Sequence, residues 1–347
     1  MIRDSLVKLS QKRDLSEQEA YEAVLEILEG KTTPAQIGSY LSMLAYKGER
    51  SDEVVGSVRA MREKMEKVDT EGLEPIDVCG TGGDHKGTFN ISTAASLVLA
   101  GGGVAVAKHG NRAASSQCGS AEVLDTLGVK LDAPSRILQE CLKEAGIAFF
   151  FAPHFHPAMK NVGPYRKEIG IRTIFNILGP MSNPASVRRQ VIGAFSDAVL
   201  PLIGDTLRRT GSERVIVLHS KDGLDEVSCA AETTICEYFP DQNPDHKAQA
   251  TFSVKPEDFG LPRHPLSEIM GSDAPANARI IESILNGEKG PKRDAVVMNA
   301  AIGFCLANDM KQMDPKLLGS FRKKAEDSID SGKALKALET LKKVSHQ

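Results

Sequence analysis

Two glycine-rich stretches hold the residues best suited to chemistry. The first, DVCGTGGDHKGTFNIST at 77–93, lies between an apolar run that reads as a strand and a helix expected to begin near Ser92. Gly80, Gly82, Gly83 and Gly87 let the backbone turn sharply and approach a ligand, and the helix offers unpaired N–H groups at its positive end. Thr81, Thr88, Asn90, Ser92 and Thr93 add hydroxyl and amide groups, which suits a ligand rich in phosphate and ribose oxygens. An ordinary tight turn before a capped helix would use the same glycines. The P-loop ending and the dinucleotide spacing are absent, so neither an NTPase nor a dehydrogenase is supported.

The second stretch, KHGNRAASSQCGSAEVLDTLG at 108–128, repeats the arrangement after the next expected strand. Lys108 and Arg112 bring fixed charge, Ser115, Ser116 and Ser120 bring hydroxyls, and a helix from about Ser120 brings a second N-terminus. Two adjacent cradles imply two anionic groups. Farther on, GLDEVS places Asp225 beside Glu226. Adjacent side chains of a strand point to opposite faces, so joint service to a metal needs the turn that Gly223 allows. Such a pair suits Mg²⁺, which keeps several waters and uses few carboxylates alongside substrate phosphates; as a bare dipeptide it also reads as two exposed loop acids. Arg166, in GPYRKE, has the composition of a surface helical arginine. His154 and His156, in HFHP, have no acidic or cysteine partner nearby, and a metal pair is not expected there.

The scaffold that must position these residues is legible in outline. Residues 1–72 read as short amphipathic helices: Ser16 with Glu19 and Thr33 with Gln36 make capping boxes, and Ser51 is expected to cap a third helix. Their apolar positions follow helical spacing, as in Val24, Ile27 and Leu28, or Ile37, Leu41 and Leu44. Beyond the polar stretch 68–75, expected strands at 76–79, 104–107, 147–151, 190–195 and 215–219 alternate with helices such as 121–127 and 134–145. That alternation predicts an α/β domain over 73–347 with a mainly parallel sheet. Residues 240–250 are polar and read as an exposed loop.

Composition removes several function classes. The chain has 347 residues, 41% hydrophobic and 26% charged, enough for one large core and a smaller one. A net charge of −3, 5% aromatics and no Trp argue against nucleic-acid binding. Six cysteines are scattered without a CxxC pair, which argues against zinc and disulfides and fits a reducing compartment. The longest apolar stretch, 97–107, falls short of the roughly 20 residues a membrane helix needs. The N-terminus carries charges where a signal peptide needs its apolar centre, so secretion is not expected.

GTGGD at 80–84, NIST at 90–93, and KHGNR at 108–112 with the following serine pair and GSAEVLDTLG resemble the phosphoribosyl pyrophosphate (PRPP) motifs of anthranilate phosphoribosyltransferases. The resemblance runs through nearly the whole chain, including the helical unit, HPAMKNVGPYRKEIGIRTIFNILGPMSNP at 156–184, GLDEVS, and NARIIESILNGEKGPKRDAVVMNAA near the C-terminus. It implies a nucleoside-phosphorylase-like phosphoribosyltransferase architecture, in which part of 160–185 joins the helical domain. The activity implied is transfer of the 5-phosphoribosyl group from PRPP to the amine of anthranilate, in the cytoplasm and in tryptophan biosynthesis. The products are N-(5-phosphoribosyl)anthranilate and pyrophosphate. Mg²⁺ and a homodimer built through the helical domain are implied with it, without nucleic-acid or membrane partners.

Carried onto this sequence, the donor site comprises Gly80, Gly83, Asp84, Thr88, Asn90, Ile91, Ser92, Thr93, Lys108, His109, Gly110, Asn111, Arg112, Ala113, Ala114, Ser115, Ser116 and Ser120. Gly80, Asn111, His156 and Arg166 line the acceptor pocket, with Arg166 meeting the anthranilate carboxylate and His109 at the junction of the substrates. Ser92, Asp225 and Glu226 contact metal. No general base is assigned, because an aromatic amine is already neutral at working pH. Lys108, Arg112, loop N–H groups and Mg²⁺ are expected to stabilise departing pyrophosphate. Pyrimidine nucleoside phosphorylases have similar motifs but are longer, with an additional C-terminal domain that is not expected here. A nucleic-acid-binding relative would need a basic surface that is also missing.

Overall fold

The computed structural model describes residues 1–113, 117–239, 249–308 and 312–347. Four helices open the chain: α1 (Ile2–Ser10), α2 (Glu17–Leu28), α3 (Pro34–Lys47) and α4 (Ser51–Lys64). Both expected capping boxes form, Ser16 with Glu19 and Thr33 with Gln36. Ser51 does not cap: it is the first residue of α4, Glu53 accepts from the Arg50 N–H at 2.8 Å, and the Ser51 hydroxyl donates to Asp205 instead. Glu53 is fully buried, also accepting from the Leu15 N–H at 2.9 Å and pairing with Lys47 at 3.0 Å.

Seven strands form one sheet: β1 (Ile76–Gly80), β2 (Val106–Gly110), β3 (Ile147–Phe151), β4 (Arg189–Gly193), β5 (Arg214–Ser220), β6 (Thr233–Tyr238) and β7 (Gln249–Val254). Their order is β3-β2-β1-β4-β5-β6-β7. The first five run parallel, while β6 and β7 are antiparallel additions at one edge. Neither of these two strands is anticipated by a search for strand–helix alternation, because no crossover helix links β5, β6 and β7. The expected 240–250 loop needs correction at its end, where Gln249 and Ala250 pair in β7; residues 240–248 lie outside the described residues.

Eleven further α-helices follow among the described residues: α5 (Ile91–Gly101), α6 (Ser120–Thr126), α7 (Ser135–Glu144), α8 (Ala152–Phe155), α9 (Gly163–Ile169), α10 (Phe175–Leu178), α11 (Leu200–Arg209), α12 (Ala274–Leu285), α13 (Pro291–Ala307), α14 (Leu318–Asp330) and α15 (Lys333–Ser345). No helix among the described residues is long and apolar enough to cross a membrane. The larger core joins one sheet face to α5, α13 and the C-terminal helices, with α13 buried from Ala295 to Leu306. The smaller core is discontinuous in sequence. Val24, Ile37 and Leu41 from the first helices pack with Val162, Phe175 and Met181, and with Ile203 and Leu207 of α11. The segment from Val162 to Met181 is therefore folded into the same core as the N-terminal helices.

Helices α2 and α4 approach closely at Gly56, where an added Cβ would run into the Glu17 carbonyl and lie 2.8 Å from the Tyr21 nitrogen. Intrinsic propensity favours Ala over Gly inside a helix by about 1 kcal/mol, whereas forcing the helices apart costs about 1–3 kcal/mol. Gly56→Ala is expected to lower stability in urea unfolding. A higher midpoint would show that the close approach is dispensable.

Candidate active site

The sheet reverses its winding between β1 and β4, and at such switch points α/β folds open a crevice beyond the carboxyl ends of the strands. Gly80 ends β1 and Gly193 ends β4, directly paired in register. Asp225 occupies the space their missing side chains leave. A Cβ on Gly80 would stand 2.5 Å from Asp225 Oδ2, and one on Gly193 would overlap the Asp225 carbonyl. From this seat Asp225 Oδ2 accepts from the Gly82 N–H at 2.9 Å, and Glu226 accepts from the Ser92 N–H at the start of α5 at 3.2 Å. Gly223, at φ +94°, supplies the expected turn just before this pair.

The first glycine loop is shaped by left-handed residues: Gly82 (φ +67°), Gly83 (+78°), His85 (+56°) and Gly87 (+71°). Such a backbone exposes successive N–H groups as an anion-binding concavity. The N–H groups of Gly83, Asp84 and His85 have no acceptor among the described residues. The far end of the loop is stapled down, with Thr88 bridging Met270 and the Gly271 N–H donating to the Gly87 carbonyl at 2.9 Å. Asn90 ties the two cradles together, donating to the Cys118 carbonyl at 3.1 Å and accepting from Asn277 at 3.0 Å. Ile91 is buried, so only its backbone can face a ligand; Thr93 is buried with a hydroxyl that has no partner among the described residues.

Burial pushes Asp225 up to about 7, helped by the charge of nearby Asp84, and pushes Glu226 up to about 8, helped by Asp225. Lys108 opposes the Glu226 shift. Its ammonium is buried beneath the loops, donating to the Val78 carbonyl at 2.8 Å and to Ser92 Oγ at 3.4 Å, and burial lowers its pKa. Lys108 thus lies under the site and steadies Ser92, where the sequence suggested a charge facing the ligand. No three acidic, histidine or cysteine side chains among the described residues form a metal cage alone. The all-oxygen set of Ser92, Asp225 and Glu226 fits a hard ion that retains other oxygen ligands.

In the second cradle Glu122, in the first turn of α6, takes up two of the loop's donors. Glu122 accepts from the Ala113 N–H at 3.1 Å and the Gly119 N–H at 3.0 Å, closing the loop on itself. Gly110 is packed against the Ser120 hydroxyl, which donates to the Asn111 carbonyl at 3.4 Å. Asn111 Oδ1 accepts from the Arg112 N–H at 2.7 Å, and the Arg112 guanidinium lies over the Phe151 ring at 5.7 Å. Ala114, Ser115 and Ser116 lie outside the described residues.

Beside the crevice, β2 carries His109 and the short α8 after β3 delivers His156, so the imidazoles meet at 5.2 Å between centroids. Burial first, then for His109 the neighbouring His156, lowers them to about 3 and about 4, leaving both neutral. Neither Nε2 has a partner among the described residues. His154 instead is exposed, edge-on to Phe155. Arg166 stands on α9 over the Phe175 ring at 5.5 Å; partial burial lowers its pKa, and no carboxylate pairs with it among the described residues. No described contact joins Arg166 to Asn111 or Gly80.

Two supporting residues escape a reading of the sequence. Asp77, fully buried, accepts from the His109 N–H at 3.2 Å and from Asn183 at 2.8 Å; burial lifts it to about 6 against the pull of Lys108. Asn183 also donates to the Ala107 carbonyl at 2.8 Å. A charged residue inside an otherwise apolar strand is the available signal for Asp77; nothing local marks Asn183.

Comparison with known proteins places the chain in a family. Residues 73–335 match the model described as glycosyl transferase family, a/b domain, and 3–65 match the helical bundle domain of the same family. An anthranilate phosphoribosyltransferase from Salinibacter ruber is 47% identical over 96% of this chain and 95% of its own. One from Syntrophobacter fumaroxidans is 42% identical over 100% of both. The crystal structure of the Thermus thermophilus enzyme superposes with a TM-score of 0.90 at 38% identity, covering 99% of this chain and 100% of that one. The Saccharomyces cerevisiae enzyme in complex with PRPP and Mg superposes with a TM-score of 0.88 at 28% identity, covering 99% and 98%. With full-length relatives at this identity and the same two-part architecture, the chain belongs to the anthranilate phosphoribosyltransferase family.

Proposed function

We propose that this protein transfers the 5-phosphoribosyl group of PRPP to the amine of anthranilate, releasing pyrophosphate, with Mg²⁺ as its metal. The observation that carries the reading is the switch-point crevice, where a loop with three N–H groups unpartnered among the described residues is bonded to Asp225, and Glu226 reaches the start of α5. Incubation with PRPP, Mg²⁺ and anthranilate, following loss of anthranilate fluorescence and identifying the product by mass, tests it directly. No N-(5-phosphoribosyl)anthranilate would refute it.

Displacement at the anomeric carbon develops positive charge on the ribose and negative charge on the leaving pyrophosphate. The N–H groups of Gly83, Asp84 and His85 are preorganised for that negative charge, and the hydroxyls of Ser92, Thr88 and Ser120 suit ribose and phosphate oxygens. Asp225, Glu226 and the Ser92 hydroxyl would hold Mg²⁺, which when bound neutralises pyrophosphate charge. His109 and His156, both neutral, offer unpartnered ring nitrogens to the acceptor without competing for its carboxylate as cations. Arg166, free of protein carboxylates among the described residues, is available to that carboxylate. The remaining donor contacts, from Gly80 to Ser120, and the acceptor set of Gly80, Asn111, His156 and Arg166 belong to the same reading. So do a domain boundary at 72/73 with part of 160–185 in the helical domain, a cytoplasmic setting, and homodimerisation through helices that expose Val7 and Tyr46.

Replacing Asp225 by Asn and Glu226 by Gln keeps shape but removes the charge that Mg²⁺ needs. Turnover should fall to near background in a folded double mutant; a normal Mg²⁺ response would dismiss the metal role.

The same pair sets a pH dependence of stability. Their folded pKa values are raised, so the metal-free protein holds protons that the unfolded chain has already released. Stability should therefore fall as pH rises from the ordinary carboxylate range through about 7 and about 8. Thermal midpoints measured in chelator should show this slope, reduced in the double mutant; an equal slope in both would place its origin elsewhere.

Arg166→Ala should raise the anthranilate requirement by roughly ten- to more than a hundredfold, the worth of one charge-assisted contact at about 1.5–3 kcal/mol. PRPP affinity should change little, and Lys should restore only part, since a point charge lacks the two-pronged geometry. Steady-state kinetics with each substrate varied in turn decides this; a defect mainly in PRPP binding contradicts the assignment.

A further inference from the structure

Arg172 has no part in the reading above, yet it joins the two halves of the crevice. It follows α9 and precedes α10, six residues beyond Arg166 on the acceptor-side segment. Its guanidinium crosses to the first glycine loop and donates to the Gly83 carbonyl. A Cβ built on Gly83 would touch its Nε at 3.5 Å. The guanidinium also lies over Phe195, 4.4 Å from the ring centroid, just beyond β4. Phe195 is tied to the same loop, its N–H donating to the Thr81 hydroxyl at 3.1 Å, while the Thr81 N–H donates to the Gly193 carbonyl at 2.8 Å.

The geometry has a consequence for the loop. The peptide between Gly83 and Asp84 is trans, as are all peptides among the described residues, so its C=O and N–H point in opposite directions. With the carbonyl held on Arg172, the Asp84 N–H is turned the other way, and it is one of the unpartnered groups of the cradle. Glycine at 83, already at φ +78°, offers little resistance to rotation of that peptide. Among the described residues no other donor holds the Gly83 carbonyl. A planar guanidinium stacked on an aromatic ring keeps its orientation at small entropic cost.

We propose that Arg172 is a positioning residue for the transfer reaction: it orients the Gly83–Asp84 peptide of the donor loop and, being carried by the acceptor-side segment, links placement of one substrate to placement of the other. The inference rests on the reaction proposed above. Its test is steady-state kinetics of the full-length protein with Mg²⁺, varying PRPP and anthranilate separately in wild type, Arg172→Ala, Arg172→Lys and Arg172→Gln. Arg172→Ala should raise the KM of both substrates, each by about tenfold, as expected for loss of one charge-assisted hydrogen bond. Its thermal midpoint should stay within about 2 °C of wild type, since a single exposed contact contributes little to global stability. Lys should recover only part of the loss, because it cannot stack as a plane. Gln, neutral but extended, gives the same reading if the Ala variant fails to fold. The two-substrate signature separates this role from that of Arg166, whose loss moves anthranilate alone. KM values within about twofold of wild type, a shift confined to one substrate, or a loss that follows a fall in thermal midpoint would overturn the role of Arg172. Absence of turnover in the wild-type protein would instead overturn the reaction itself.

Discussion

Gly80 and Gly193 lie side by side at the ends of adjacent parallel strands, and the space above them is filled by the backbone and carboxylate of Asp225. Side chains at either position would expel it. Everything else in the crevice follows from that close approach. Asp225 reaches the Gly82 N–H, the next residue reaches the start of α5, and a loop after β5 is brought against a loop after β1, although 143 residues separate Gly82 from Asp225. A parallel sheet supplies this convergence because all its crossover loops of one kind leave from the same edge.

The electrostatic cost of the arrangement is visible beneath it. Asp77, Asp225 and Glu226 are all pushed toward their protonated forms by burial, and Lys108 is the buried cation that opposes this for Asp77 and Glu226. Lys108 is bonded to the Val78 carbonyl and Ser92, which leaves the carboxylates above it short of positive charge. A divalent cation with its own oxygen ligands would supply that charge, and a permanent protein cage would leave no coordination positions for phosphate. The second cradle shows the opposite economy: Glu122 already accepts from the Ala113 and Gly119 N–H groups, so these two donors are taken within the protein.

The segment from His156 to Arg172 is organised by a different force. The segment carrying His156, Arg166 and Arg172 is held where it is because Val162, Phe175 and Met181 bury themselves with the N-terminal helices. His109, by contrast, rides on a central strand. The imidazole pair is therefore contributed from both sides of the junction, and its neutrality comes from desolvation there.

The amino-acid sequence by itself determined the parts whose signals are local. Capping boxes at Ser16 and Thr33, the alternation of strands with helices, and glycines at left-handed turns depend on neighbours a few residues away, so they can be read directly. The family motifs located both glycine loops and the Asp225–Glu226 pair. Ser51 departs from its expected role because the helix starts one residue earlier, with Arg50 at the N-cap, and the Ser51 hydroxyl is drawn to Asp205 of α11. The strands β6 and β7 leave no such trace, since antiparallel additions need no crossover helix to announce them. Tertiary structure alone decided that Lys108 points inward, that Asp77 and Asn183 hold β2 in place, and that Arg172 reaches Gly83. These are contacts between residues far apart in the chain, set by strand register and by which core each segment enters, and no local spacing encodes them.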